Sequence, residues 1–203
     1  MRNLMLVCAG VLLVACVVTF TTAGEKSGKP AAQVGQPAPQ FALQDQNGKS
    51  VSLSDYAGKI VVLEWFNNEC PYVQRHYKGE SDMNATASKL AEKGVVWLAI
   101  NSTSGKTPDD NKQVAAEWKM DRPILDDASG NVGHLYGAKT TPHMFVIDKT
   151  GTLAYVGAID NNANGDKKTP VNYVDKAVTE ILSGQSVSEP QTKSYGCSVK
   201  YAK

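Results

Sequence analysis

Ile60-Val-Val-Leu-Glu-Trp-Phe66, continued by Asn67-Asn-Glu69 and then Cys70-Pro71, is the stretch that decides how this chain folds. It opens with a near-continuous apolar run rich in β-branched side chains. That pattern marks a strand buried on both faces, the environment of a parallel strand between two covering layers. The polar triplet ends the strand, and Pro71 suits the start of a helix, where its fixed φ and missing N–H are no handicap. Cys70 therefore stands between a central strand and a helix N-terminus. A thiol in that place meets unpaired N–H groups and the positive end of the helix dipole, which stabilise the thiolate and lower its pKa. Because Asn67-Asn-Glu69 reads as a surface turn, a nucleophilic cysteine is expected at Cys70 rather than an inert core thiol.

Working outward, Phe41-Ala-Leu43 and Val51-Ser-Leu53 flank Gln46-Asn-Gly48, a hairpin signal in which Asn-Gly supplies the positive φ angles of a tight turn. Downstream, Ser81 to Lys93 reads as a helix closed by Gly94, and Val95-Val-Trp-Leu-Ala-Ile100 as a second buried strand. Asp109 to Trp118 is a helix with acidic residues in its first turn. Met144 to Asp148, Lys149-Thr-Gly151 and Thr152 to Val156 give a strand, a turn and an antiparallel strand. A last helix over Val171 to Leu182 places Val174, Val178, Ile181 and Leu182 on one face. Strands alternating with helices, then a hairpin and a helix, predict an α/β fold with a central mixed sheet flanked by helices and an N-terminal hairpin extension.

The N-terminus reads as an export signal. Met1-Arg-Asn3 precedes an apolar run from Leu4 to Phe20, then Thr21-Thr-Ala23 and polar residues from Gly24. Cleavage after Ala23 is expected. Leu13-Val-Ala-Cys16 resembles a lipobox and offers a lipoprotein cut as the alternative, but Val17, Val18 and Phe20 continue the apolar run beyond it. An uncleaved membrane anchor is a third reading, since the run is near the lower limit for a span. The expected division is a signal over 1–23, a linker over 24–33, one globular domain over 34–187 and a tail over 188–203. Cleavage after Ala23 removes Cys8 and Cys16, leaving Cys70 and Cys197 in an oxidising compartment, where two cysteines suggest a disulfide, structural or catalytic. With 21 basic and 20 acidic residues, the charge balance points to no nucleic-acid partner. No cofactor is expected, and no His, Cys and carboxylate spacing makes a metal site.

Three segments carry a family resemblance. Trp65 to Val73 resembles the active-site turn of thioredoxin-like and redoxin (peroxiredoxin-like) proteins. Thr141-Pro-His-Met-Phe-Val-Ile-Asp148 resembles their cis-proline loop and following strand, and Val34 to Phe41 with Leu53 to Lys59 their N-terminal hairpin. The resemblance implies a thioredoxin-like fold and a redox-active Cys70. It further implies that Thr141, Pro142, Pro71 and Trp65 meet the substrate, with the backbone of Thr141 pairing with an extended partner strand. Glu64, six residues before Cys70, matches a buried carboxylate that takes up protons during thiol exchange in thioredoxins; an outward-facing strand glutamate is the alternative.

The chain also departs from both patterns. Val73 stands where thioredoxins carry their second cysteine, so a distant thiol must resolve Cys70, and Cys197 in the Gly- and Ser-containing tail is the candidate. A permanent staple, or a bond between chains, stays open for it. Leu63 and Asn67 replace the proline and hydroxyl of the peroxiredoxin site, and Pro142 its arginine, so nothing orients a peroxide. The resulting expectation is an exported thiol-disulfide oxidoreductase acting on protein thiols or disulfides. A thiol peroxidase and a non-catalytic binding module are the alternatives. Arg75 and His76 are read as a solvated helix face, and His143 as a structural histidine.

Overall fold

A computed structural model describes residues 32–78 and 83–203. The expected signal, the lipobox at Cys16 and the first residues of the Ser81–Lys93 helix lie outside them. The elements follow in the order β1 Ala42–Asp45, β2 Ser50–Ser52, a 3-10 turn Leu53–Tyr56, β3 Val61–Trp65, α1 Pro71–Lys78, α2 Met83–Ala91, β4 Val96–Asn101 and α3 Pro108–Glu117. Then come β5 Ile124–Asp126, α4 Asn131–Tyr136, β6 Thr140–Thr141, β7 His143–Ile147, β8 Leu153–Gly157, α5 Tyr173–Leu182 and β9 Cys197–Ser198. The main sheet runs β2-β1-β5-β4-β3-β7-β8, with β3, β4 and β5 parallel and the outer strands antiparallel. This is the expected mixed sheet flanked by helices.

Alternation along β3 divides the core. Val61, Leu63 and Trp65 point to one face, where Leu98, Ile100 and Phe145 meet Val132 and Tyr136 of α4 and Phe41 and Leu53 of the N-terminal segment. Ile60, Val62 and Phe66 point to the other, under α1, α2, α3 and α5. Both faces are covered, which is why β3 reads as an apolar run rather than an alternation. Each such side chain adds roughly 1.5–3 kcal/mol on full burial.

Several local readings need correction. The β1–β2 turn has Gly48 at φ 78°, but Asn47 is not left-handed. Instead Asp45 Oδ1 accepts hydrogen bonds from the N–H groups of Asn47 and Lys49, at 2.8 and 2.9 Å, so an aspartate closes the loop and only one residue needs positive φ. On α5, Val174, Ala177 and Val178 are buried while Leu182 lies exposed, one step round from the packed stripe. Helix α3 starts earlier than expected, at Pro108, because Thr107 caps it in a reciprocal box with Asp110. The elements β5, α4, β6 and β9 were not anticipated at all. They are short, and β6 and β9 exist only as each other's partner.

Candidate active site

The register of β3 against β7 pairs Trp65 with His143, which brings the turn after β3 beside the loop before β7. Asn67 Oδ1 accepts from the Glu69 N–H at 2.8 Å and the Asn67 carbonyl from the Cys70 N–H at 3.1 Å, tightening the turn that leads into α1. Gln74 N–H donates to the Cys70 carbonyl, so Cys70 immediately precedes the helix that Pro71 opens. Lys106 Nζ reaches Glu69 at 2.6 Å. The turn is at the surface at Asn68 and Glu69, yet Cys70 itself is only 1% exposed. Expected in a surface turn, it lies underneath one.

The cover is the C-terminal tail. Its strand β9 pairs antiparallel with β6, Thr141 opposite Cys197 and Thr140 opposite Ser198. The Thr141–Pro142 peptide is cis. Gly196 has φ 126°, and a Cβ there would fall on the Thr141 carbonyl oxygen. Cys197 packs against the cluster of Phe66, Cys70 and Val73, and both cysteines are thiols.

The electrostatics separate the two. Burial opposes ionisation of Cys70, but hydrogen bonding at its sulfur by Thr141, Val73 and Cys197 outweighs it, and the net shift is downward. The Cys70 thiol donates to the Thr141 carbonyl at 2.9 Å, while Thr141 Oγ1 is buried with no partner of its own in this arrangement. That hydroxyl is therefore available to the sulfur once it ionises. The Cys197 thiol is pushed up, first by burial and then by the Cys70 sulfur. Of the two, Cys70 is the more readily ionised and Cys197 the less.

Of two further residues expected at the site, one lies elsewhere. Trp65 is fully buried on the opposite face of β3, donating from Nε1 to Ser102 Oγ at 3.0 Å and packing on Tyr136 and Phe145, so it offers no surface to a substrate. Glu64 is buried as expected, not outward-facing. It accepts from Tyr77 Oη at 2.9 and 3.0 Å and from Trp97 Nε1 at 2.9 Å, with Arg122 3.9 Å away. Burial raises its pKa, against the lowering pull of Arg122, Trp97 and Tyr77. No hydrogen bond joins it to Cys70 or Cys197 among the described residues. Pro71 is exposed beside the site. His143 is buried, accepts from the Lys139 N–H at 3.3 Å, and is pushed down to about 4 by burial.

Sequence reasoning missed the anchor of the tail. Tyr195, two residues before Cys197, donates its hydroxyl to Asp160 Oδ1 and meets His76 Nε2 at 2.9 Å. Arg75 lies 6.0 Å over its ring and donates to the carbonyls of Asn162 and Ala163 at 2.8 and 2.7 Å. The solvated face expected at Arg75 and His76 is thus an internal seam: His76 is buried, and burial pushes its pKa down to about 4. No periodicity or motif links these positions.

Residues 34–156 match the AhpC/TSA family. The chain belongs to that family. This AhpC/TSA protein is 29% identical over 154 residues to a thiol-disulfide oxidoreductase, ResA, of Bacillus thuringiensis, covering 75% of this chain and 86% of that one. It is 32% identical over 125 residues to the ResA of Geobacillus thermodenitrificans, covering 62% and 69%. Among solved structures, an uncharacterized conserved protein of Geobacillus kaustophilus superposes with a TM-score of 0.76 at 30% identity over 84% of this chain and 93% of that one. A thiol:disulfide interchange protein DsbE of Chlorobium tepidum superposes at 0.57 with 25% identity, over 75% and 97%. The fold is thioredoxin-like, and the protein is a thiol-disulfide oxidoreductase.

The site yields an order of reactivity. A small alkylating reagent applied to the reduced protein across a pH series should modify Cys70 with a midpoint below the free-cysteine value of about 8.5, and Cys197 only at higher pH. The sign follows from the shifts: a lowered pKa puts thiolate at lower pH, a raised one withholds it. Reaction at Cys197 first, with Cys70 silent, would reverse the assignment.

Proposed function

We propose that Cys70 and Cys197 are the working redox couple of an exported protein disulfide reductase or oxidase, with Cys70 the nucleophile and Cys197 the resolving thiol. One observation carries this reading: Cys197 occupies the strand position opposite Thr141 and packs against the cluster that holds Cys70.

In the reducing direction the Cys70 thiolate attacks one sulfur of a partner disulfide. A Cys70–partner S–S bond forms, the partner's S–S bond breaks, and the displaced thiolate takes a proton from solvent. The Thr141 hydroxyl, the Val73 N–H and the helix N-terminus hold charge on the Cys70 sulfur before attack. Cys197, as thiolate, then attacks the Cys70 sulfur, forming the Cys70–Cys197 bond and releasing the second partner thiol. Two electrons pass to the partner, and an external dithiol must restore the couple. Thr141 and Pro142 present backbone to the partner strand and Pro71 borders it. Glu64, held by Tyr77, Trp97 and Arg122, acts through the footing of α1 and β4, not by contact with sulfur.

The apolar run Leu4–Phe20 supports export to an extracytoplasmic compartment, with cleavage after Ala23. No helix among the described residues is long and apolar enough to cross a membrane.

Two outcomes test the reading. Cys70→Ser should abolish disulfide exchange, while Cys197→Ser should accumulate Cys70 mixed disulfides with partner proteins, seen as reducible adducts on gels; normal turnover by Cys197→Ser with nothing trapped would remove Cys197 from the mechanism. Intact mass of the protein from its producing cell should begin at Gly24. A lipid-bearing Cys16 or a retained Met1 would contradict that cleavage.

A further inference from the structure

A strand edge as short as Thr140–Thr141 takes one partner at a time. The tail holds it now, and in doing so places a cysteine against Cys70 in the antiparallel pairing by which an incoming disulfide would present its own. Two features make that seating specific. Gly196 passes so close to Thr141 that a side chain there would strike the carbonyl oxygen and its carbon, backbone that cannot easily yield. Tyr195 fills a notch formed by His76, Asp160, Arg75 and Tyr72, its hydroxyl bonded at the bottom and its ring 6.0 Å from that of Tyr72. Tyr72 is exposed, at 39%, so the notch opens to solvent on one side.

We propose that residues 195–198 are a resident substrate strand: a partner's cysteine segment replaces them on Thr141 and is selected by the same two features, a glycine immediately before the cysteine and an aromatic ring one residue earlier. The inference rests on Cys70 being the nucleophile. It adds the substrate class, an extended Tyr-Gly-Cys-like segment whose cysteine is in a disulfide, and it makes the tail a competitor for that class. A larger residue before the cysteine is rejected by a clash rather than by loss of an attraction. The protein accepts substrate only in the fraction of molecules whose tail is undocked, so anything that loosens Tyr195 raises the apparent rate in proportion.

The probe is the peptide Ser-Tyr-Gly-Cys-Ser-Val with its cysteine disulfide-linked to thionitrobenzoate. The Cys70 thiolate attacks the peptide sulfur, the Cys70–peptide bond forms, and thionitrobenzoate leaves with the electron pair, because the more acidic thiol departs faster. Release is followed by absorbance and the adduct by mass, using the full chain carrying Cys197→Ser so that nothing resolves it. The Tyr-Gly-Cys peptide should react at least about tenfold faster than Tyr-Ala-Cys, and faster than Ala-Gly-Cys. Adding Tyr195→Phe, or separately Gly196→Ala, to the chain should accelerate every peptide severalfold with the far-ultraviolet circular dichroism unchanged. Equal rates for the three peptides, or no acceleration in either tail variant, would overturn the proposal while leaving Cys70 as nucleophile. No thionitrobenzoate from any peptide, with the chain folded, would overturn the redox reading itself and this inference with it.

Discussion

The pairing of Thr141 with Cys197 is the constraint on which the site depends. It sets the distance between two thiols that lie far apart in the chain, it buries Cys70, and it supplies part of the hydrogen bonding that lowers the Cys70 pKa. A neighbouring cysteine one helical turn away would have made none of this necessary. With Val73 in that place, the second thiol has to be delivered by a strand, and a strand must be anchored at both sides of the sulfur. Tyr195 does this before Cys197. After it, the Val199 N–H donates to the Lys139 carbonyl and the Ser104 N–H to the Lys200 carbonyl, while Tyr201 stacks on His134 at 4.0 Å and its hydroxyl reaches the Ala138 carbonyl at 2.8 Å.

The scaffold beneath that pairing is stiff for a physical reason. β3 lies between β4 and β7 with both its faces covered, so the turn it feeds starts from a fixed point. Glu64 interrupts its apolar run at the cost of burying a carboxylate, and that cost is met by Tyr77 from α1, Trp97 from β4 and Arg122 ahead of β5. Tyr77 in turn accepts from Arg122 Nη2 at 2.6 Å. One polar cluster thus ties the helix that follows Cys70 to the strands behind it. Removing Glu64 alone would leave the Trp97 N–H without its acceptor and the Arg122 charge less compensated, which is more damaging than replacing the whole set.

How much of this was legible in the residues follows from range. The run Ile60–Phe66, the Cys70-Pro71 junction, the β7–β8 hairpin and α5 each carry their signal within a few residues, and all of them form where expected. The Thr141–Pro142 loop was legible as a backbone edge beside Cys70 through the family resemblance, and Cys197 as the distant thiol through the loss of a cysteine at Val73. What was not legible depends on contacts across the chain. Tyr195 meets Asp160 and His76 at separations of 35 and 119 residues, and nothing near any of the three announces it. Arg75 and His76 looked solvent-facing because the layer that covers them is the tail. Trp65 was placed at the substrate by the family resemblance, but period-two alternation sends it to the far face.

If the tail strand makes Cys70 and Cys197 a reversible couple rather than a permanent staple, their disulfide must have the potential of an exchange protein. The most direct measurement is the reduction potential of their disulfide, obtained by equilibrating the mature protein with glutathione or dithiothreitol buffers and counting free thiols by mass. An exchange couple should fall between about −120 and −270 mV, the range of known disulfide oxidoreductases. A value below about −300 mV, where structural disulfides lie, would contradict the account.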